Sequence, residues 1–206
     1  MNQPRTRAPR RDAQANRDSI LAAARTALAQ DPGASIDLIA HTAGLSRRAL
    51  YGHFNDRSAL ITELVRTGAQ RFNAIAERPL NDDARIALAQ LASRLWHEVA
   101  HIQTVTAIAL DDAHVADTAA ALAPLRQIVS DIVARGRHTN ALRTDIPDDV
   151  LARLIEETAR MVVRVDVVGP DAGATAVRAV LSIAGLSWRE ADALLSAHPE
   201  ITGAAA

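Results

Sequence analysis

Hydrogen-bond donors are concentrated in one short stretch of the sequence. The segment SRRALYGHF, which begins at residue 46, brings Arg47, Arg48, Tyr51 and His53 close together. Arg binds guanine O6 and N7 with two hydrogen bonds, and Tyr and Ser hydroxyls typically bind phosphate oxygens. The stretch therefore predicts a surface that binds nucleic acid, with Arg47 and Arg48 as candidate base readers.

A second candidate for chemistry is the segment HEVAH. His97 and His101 lie four residues apart, so on a helix they share a face and could bind zinc, with Glu98 as general base. The longer zinc-protease pattern fails, because Thr104 and Ala107 occupy the positions of its further Gly and His. We therefore predict no catalytic site and no metal site, and no cofactor is expected.

The donor-rich stretch follows a tight turn between two short helices. Ser35 is placed to cap the first helix, and Gly44 ends it where a left-handed backbone is usually required. Ser46 caps the second helix, which is predicted to extend to Phe54 and to bury Leu50 together with it. The pattern predicts a helix-turn-helix whose second helix enters the major groove of DNA.

Helical periodicity continues along the rest of the chain and predicts an all-α fold. A three-helix N-terminal domain over 12–55 contains the helix-turn-helix, and a helical domain over 56–198 follows. Residues 1–11 are predicted to be a flexible basic arm, either a solvated or a functional one, and residues 199–206 a disordered tail. The run 161–168 is rich in β-branched residues, but helix is predicted because a single strand would have no partner.

Long helices make up the predicted second domain. They cover 119–139, 148–168 and 174–184, and Ser187 and Glu190 form a capping box that begins a short final helix. Six residues of the helix over 148–168 are predicted to point inward from their spacing: Leu151, Leu154, Ile155, Thr158, Val162 and Val165.

Composition excludes several classes of protein. The 206 residues carry 23 basic side chains, all of them Arg, against 24 acidic ones, which argues against a wholly basic nucleic-acid coat protein. Residues 1–54 nonetheless hold eight Arg and four Asp, a formal charge of +4 that leaves −5 for the remainder. The absence of cysteine excludes disulfides and thiolate metal sites. No signal peptide or membrane-spanning run is visible, so we expect a soluble, cytoplasmic protein.

The arrangement of the N-terminal residues resembles the DNA-binding domain of the tetracycline-repressor (TetR) family of transcriptional regulators. The resemblance covers roughly residues 12–65 and rests on Ser35, Ile39-Ala40, Ala43-Gly44-Leu45-Ser46, Leu50-Tyr51, His53-Phe54, Arg57 and Leu60. It implies a homodimer that binds a palindromic double-stranded DNA operator as a repressor and is released by a small-molecule effector. The helices over 148–168 and 174–184 would then pair with their copies in a four-helix arrangement.

The resemblance also implies roles for individual side chains. Ser35 and Ser46 would bind phosphate at the helix starts, and Tyr51 and His53 would contact the DNA backbone. Arg57 would add a phosphate contact where the family often has Lys. For His53 a structural role in capping or packing is the alternative.

Two positions depart from the family pattern. Arg48 stands where many relatives have Gly, and Gly52 stands where a larger side chain is usual. Because the departure at Arg48 adds a guanidinium, this residue is itself a candidate base reader.

The effector pocket is predicted in the second domain. Three residues of one amphipathic helix would form a wall, and three arginines would either anchor an anionic effector or form a solvated helix face: Trp96, His97, His101, Arg126, Arg160 and Arg164. Two alternative functions remain open. One is a zinc-dependent hydrolase that uses segment 97–101, and the other is a helical adaptor that binds protein.

Overall fold

The computed structural model describes residues 8–100, 115–165, 169 and 171–203. Every regular element within these ranges is helical, so the predicted all-α fold is confirmed. None of these helices combines the length and the apolarity that crossing a bilayer requires. In chain order they are α1 (Ala8–Gln30), α2 (Ile36–Thr42), α3 (Arg47–Tyr51), α4 (Arg57–Ala76), α5 (Ala84–Ala100), α6 (Val115–Ala121), α7 (Ala123–His138), α8 (Asp148–Arg164), α9 (Ala172–Ile183), α10 (Trp188–Ala197) and a final 3₁₀ turn (Pro199–Ile201).

The chain divides into two compact units, each with its own apolar core. The first unit comprises residues 1–68 and 102–118. Its core joins α1, α2, α3 and the first part of α4 through Ile20, Ala24, Leu28, Ile39, Leu50, Phe54, Leu60, Ile61 and Leu64. Because the α4 residues are buried in this core, the unit extends beyond the domain boundary predicted at residue 55.

The second unit comprises residues 69–101 and 119–206. Its helix α5 packs against α9 and α7, and α8 packs against α7 and α9. The apolar positions that recur at spacings of three and four form the core here, as expected for amphipathic helices. The largest buried side chains of this core include Leu88, Leu91, Ile132, Val133, Leu151 and Leu181.

Helix α1 begins earlier than the sequence predicts. It starts at Ala8, within the segment 1–11 that is predicted to be a flexible arm. Pro9 does not prevent this, because proline has a helical φ and its missing N–H has no partner in the first turn of a helix. The basic residues Arg10 and Arg11 therefore belong to the first turn of α1.

The helix predicted over 119–139 consists of two helices. Helix α6 ends at Ala121 and α7 begins at Ala123, with Pro124 in its first turn. Proline lacks an N–H, and its ring clashes with the carbonyl four residues earlier in a continuous helix. The prediction of one helix is therefore wrong, and Pro124 accounts for the break at Leu122.

Helix α8 buries a narrower stripe than the sequence predicts. Leu151 and Ile155 are buried, but Leu154 and Val165 are 41% and 67% exposed, so the prediction that both point inward is wrong. The apolar arc of this helix is wider than the side that faces α7 and α9. It leaves an outer apolar face of four exposed residues at helical spacing: Val150, Leu154, Met161 and Val165.

The chain remains structured past Pro199. Ile201, in the final 3₁₀ turn, is buried against α5, and the buried hydroxyl of Ser93 donates a hydrogen bond to the Ile201 carbonyl. The prediction of a disordered tail over 199–206 is therefore wrong for residues 199–201. One buried apolar side chain and one buried polar partner thus hold this turn on the core.

Gly136 of α7 lies where a side chain would not fit. A Cβ at this position would overlap with Leu142 Cγ and approach Ala84 Cβ to 2.9 Å. We expect Gly136→Ala to lower the free energy of unfolding by roughly 1–3 kcal/mol, measured as a lower urea midpoint, because an overpacked core must shift.

The matched control is Gly68→Ala in α4, where the new Cβ would meet no atom of the described residues within 4 Å apart from its own stretch of helix. This change should instead raise the free energy of unfolding by about 0.4–1 kcal/mol, because alanine restricts the unfolded chain. Equal shifts of the urea midpoint for the two variants would contradict the tight packing around Gly136.

Candidate nucleic-acid interface

The turn between α2 and α3 is held by a serine cap at each helix start. Ser35 Oγ accepts the amide N–H of the residue three positions later at 3.2 Å, and Ser46 Oγ does the same at 3.2 Å. Gly44 between them has φ of +68°, the left-handed conformation predicted for it. Both caps predicted from the sequence are present. Since each Oγ acts as acceptor in its cap, the hydroxyl hydrogen remains available as a donor.

Helix α3 has one buried and one exposed side. Leu50 is fully buried and Phe54 is 3% exposed, whereas Tyr51 is 40% exposed and Arg48 is exposed. The helix ends at Tyr51 and not at Phe54 as predicted, because it stops at Gly52, a residue of low helix propensity. The turn that follows still carries Phe54 into the core.

Arg47 is held on the surface by two neighbours. Its Nη1 donates to Asp37 Oδ2 at 3.1 Å, and its guanidinium carbon lies 5.6 Å from the centroid of the Tyr51 ring. Hydrogen bonding with the Tyr51 side chain, followed by the charge of Asp37, raises the pKa of Arg47 above its ordinary value. Arg47 is therefore a permanent cation with a defined orientation.

Arg48 differs from its neighbour in having no hydrogen-bond or ion-pair partner within the parts of the chain that the structure describes. Its side chain projects from the exposed side of α3. The helix thus presents one guanidinium that is oriented by the protein and one that is unrestrained.

His53 and Arg57, which the family resemblance assigns to the DNA backbone, both have roles within the first unit. His53 is half-buried, and its carbonyl accepts a hydrogen bond from Arg17 Nη1 at 3.3 Å. Arg57 donates from Nε to the Ala34 carbonyl at 3.3 Å and from Nη2 to the Pro32 carbonyl at 2.7 Å. Arg57 therefore braces the turn that precedes α2.

Arg17 of α1 is a residue that the sequence analysis missed. Its guanidinium reaches the His53 carbonyl, lies 4.5 Å from the centroid of the Phe54 ring and approaches Glu63 Oε1 to 3.2 Å. Arg66, and to a smaller extent Arg17, hold the pKa of Glu63 below its ordinary value against the opposing effect of burial. Arg17 thus ties α1 to α4 and to the residues after α3.

Two of the predicted effector arginines share one carboxylate in the second unit. Arg126 Nε and Arg160 Nη2 donate to Glu156 Oε1 at 3.1 and 2.9 Å, which links α7 to α8. The side chain of Arg160 is only 14% exposed, so the solvated helix face considered for it is wrong. Arg164 is exposed at the end of α8. The arginine pair is therefore already neutralised in part by Glu156.

The residues predicted to form the pocket wall lie along α5. Trp96 is half-buried and packs against Gly173 of α9, where a Cβ would approach Trp96 Cδ1 to 3.1 Å. His97 is exposed, and His101 lies outside the described residues.

The contacts of Glu98 in α5 do not favour the zinc-hydrolase chemistry considered for the HEVAH segment. Glu98, the candidate base, lies 3.3 Å from Arg71 Nε of α4. Across the described ranges, no three potential ligands among His, Asp and Glu side chains are close enough to hold a metal ion. The ion pair with Arg71 engages the carboxylate that a zinc hydrolase would need as its base.

A groove of about 550 Å³ lies elsewhere in the second unit, where sequence reasoning placed no site. Residues from the start of α5, the loop between α7 and α8, and α10 line it, among them Arg85, Leu142, Arg143, Leu194 and His198. None of the predicted effector residues lies in its lining. The groove forms where the loop and α10, which are distant in the sequence, come together. The spacing of residues within one helix therefore does not predict it.

The match to a protein-family sequence model lies in the first unit. Residues 20–64 match the family of bacterial regulatory proteins described as the tetR family. No curated protein sequence matches the chain. The family resemblance predicted from the sequence is confirmed.

Solved structures share the fold over most of the chain. PfmR, a TetR family transcriptional regulator from Thermus thermophilus, has a TM-score of 0.68 at 20% identity, over 82% of this chain and 98% of its own. FadR from Bacillus subtilis in complex with stearoyl-CoA has a TM-score of 0.66 at 15% identity, over 82% and 97%. RolR in complex with resorcinol has a TM-score of 0.64 at 16% identity, over 90% and 95%. The chain therefore has the fold of a TetR-family transcriptional regulator.

The contacts of Arg17 predict that it stabilises the first unit. We expect Arg17→Ala to lower the free energy of unfolding by about 1 kcal/mol, because it removes a hydrogen bond to the His53 carbonyl and an ion pair to the largely buried Glu63. Urea denaturation monitored by circular dichroism measures the change. Arg25→Ala, in the same helix but without a hydrogen bond or ion pair to the described residues, should have a smaller effect. Equal losses for both variants would contradict the role of Arg17.

Proposed function

We propose that the protein is a transcription regulator that binds duplex DNA through α2 and α3, because residues 20–64 match the tetR family of bacterial regulatory proteins. The observation that carries the proposal is the exposed side of α3. Arg47, Arg48 and Tyr51 lie there together, while Leu50 anchors the opposite side in the core. A short, rigidly anchored helix that presents guanidinium groups suits the major groove of DNA.

The side chains of this surface divide into base readers and phosphate contacts. We assign Arg47 and Arg48 to base edges, since a guanidinium matches guanine O6 and N7. Tyr51, Ser35 and Ser46 are assigned to phosphate oxygens, because hydroxyl groups donate to phosphates without reading sequence. The serine caps support this assignment, as each leaves its hydroxyl hydrogen free to donate.

His53 and Arg57 receive more limited roles. The exposed part of the His53 ring is assigned to the DNA backbone, since its carbonyl already serves the contact with Arg17. Arg57 is assigned to positioning α2, because its hydrogen bonds from Nε and Nη2 to the Ala34 and Pro32 carbonyls fix the guanidinium on the turn before this helix.

We further propose that the protein acts as a homodimer on a palindromic operator. The outer apolar face of α8, which comprises Val150, Leu154, Met161 and Val165, supports this. A second copy that covers this face by two-fold symmetry would remove it from water and pair α8 and α9 with their copies. Two copies of α3 would then enter successive major grooves, about 34–36 Å apart.

Release by a small-molecule effector is the proposed mechanism of regulation, with the protein acting as a repressor. Two proteins of the same fold are complexes with small molecules, stearoyl-CoA and resorcinol. These ligands differ greatly in size and polarity, so the fold leaves the chemistry of the effector open. Trp96 and His97 of α5 are the proposed wall of its pocket. The effector can shift the protein away from DNA only by as much as its affinity differs between the two states.

Arg48 and Tyr51 should affect DNA binding in different ways. We expect Arg48→Ala to relax the preference for one base pair in each half-site by about 1–3 kcal/mol, because direct reading of that base is lost. Tyr51→Phe should weaken binding to all sequences alike, because it removes a phosphate contact, which carries no sequence information, and keeps the ring beside Arg47. Selection of bound duplexes from a random library, followed by titration of single base-pair variants, measures both effects.

Arg78→Ala, a change of an exposed arginine in the second unit, is the control for loss of charge alone. A binding profile for Arg48→Ala that keeps every base preference of the wild-type protein would contradict base reading by Arg48.

The dimer proposal predicts that charge on the outer face of α8 separates the copies. We expect Leu154→Glu to raise the dimer dissociation constant by about a hundredfold or more, because dimerisation would bury an unpaired carboxylate. Sedimentation velocity over a range of concentrations measures the constant. Ser196→Glu, at an exposed position of α10, should leave the dimer intact. A dimer of unchanged strength in the Leu154 variant would place the interface elsewhere.

A further inference from the structure

The ion pair between Asp37 and Arg47 lies on the surface that we assign to DNA. Asp37 is in the first turn of α2, and its Oδ2 lies 3.1 Å from Arg47 Nη1. The two side chains are 59% and 63% exposed. Asp37 is also the one acidic residue in the segment from Ser35 to Phe54. A carboxylate at this position repels phosphate, so its presence opposite a candidate base reader calls for an explanation.

The hydrogen bond to Asp37 does not use the Nε–Nη2 edge of Arg47. Asp37 accepts from Nη1 in the one hydrogen bond of regular geometry that Arg47 makes to the described residues, and the Tyr51 side chain, which also raises the pKa of Arg47, lies beside the guanidinium. With this Nε–Nη2 edge, other arginines among the described residues bind both oxygens of a carboxylate: Arg66 on Glu63, Arg85 on Asp83 and Arg143 on Asp145. The same edge matches O6 and N7 of guanine.

Two contacts restrict how this edge can point. The Tyr51 ring lies 5.6 Å from the Arg47 guanidinium carbon, and Asp37 fixes Nη1 from the neighbouring helix. A side chain with four rotatable bonds loses conformational entropy when it binds a base, and a supporting hydrogen bond lowers that loss by restricting the free side chain beforehand. Arg48 has no such support within the described residues.

We propose that Asp37 is a positioning residue for DNA recognition: it holds Arg47 Nη1 so that the Nε–Nη2 edge is presented to one guanine of each half-site. This inference rests on the proposed DNA-binding function and adds a residue of α2 to it. Asp37 thereby increases discrimination at a base pair that it does not touch. At the same time its negative charge lowers the affinity for DNA of any sequence. The carboxylate therefore raises discrimination between sequences and lowers overall affinity.

The test is a double-mutant cycle of Asp37→Asn and Arg47→Ala in the full-length chain. The probes are the duplex selected by the wild-type protein, its single base-pair variants and a scrambled duplex. Arg47→Ala should reduce discrimination at one base pair by about tenfold or more. Asp37→Asn should reduce discrimination at that same base pair by about threefold or more, with about twofold tighter binding to the scrambled duplex. In the Arg47→Ala background, Asp37→Asn should change no base preference.

Asp82→Asn is the charge-matched control, since Asp82 is exposed in the second unit. Thermal unfolding checks that each variant is folded. The inference is overturned if Asp37→Asn leaves all base preferences unchanged, or if it alters them equally without the Arg47 side chain. Failure of the proposed function has a different signature: the wild-type protein itself would then select no consensus duplex.

Discussion

Burial of Leu50 and Phe54 is the constraint on which the candidate DNA surface depends. A helix as short as α3 forms too few internal hydrogen bonds to be stable alone, so its position is set by tertiary packing. Leu50 is fully buried and Phe54 follows it into the same core, with the Arg17 guanidinium over its ring. Because the apolar side is fixed, the direction of Arg47, Arg48 and Tyr51 is fixed as well. Donors on a loosely packed helix would lose this direction.

The sequence predicts those features of the first unit that depend on local spacing. The Ser35 and Ser46 caps, the left-handed Gly44 and the inward side of α3 follow from rules that involve a few neighbouring residues. The pairing of Asp37 with Arg47 and that of Arg17 with Glu63 do not, because long side chains find their partners across separate helices. The family resemblance assigns Arg57 to the DNA backbone, and local spacing does not show that its Nε and Nη2 donate to the carbonyls of Ala34 and Pro32.

Two predictions for the second unit are wrong for different reasons. The break before α7 was encoded locally, since Pro124 is incompatible with a continuous helix, and the apolar period on either side obscured it. Exposure of Leu154 and Val165 was not encoded locally. The spacing of apolar residues identifies an apolar side of α8, but it does not show how much of that side the other helices of the chain cover. A helix that faces its own core on one side and a second molecule on the other has the same pattern as a fully buried one.

The 3₁₀ turn at the end of the chain has a practical consequence for anyone who shortens this protein. A truncation before residue 199 would remove Ile201, which packs against α5. The Ser93 hydroxyl, which is buried among apolar side chains, would then lose its hydrogen-bond acceptor. An unpaired buried hydroxyl costs about 1–3 kcal/mol, a large fraction of the stability of a small protein. Residues 199–201 thus stabilise the second unit, and purification tags should be attached beyond this turn.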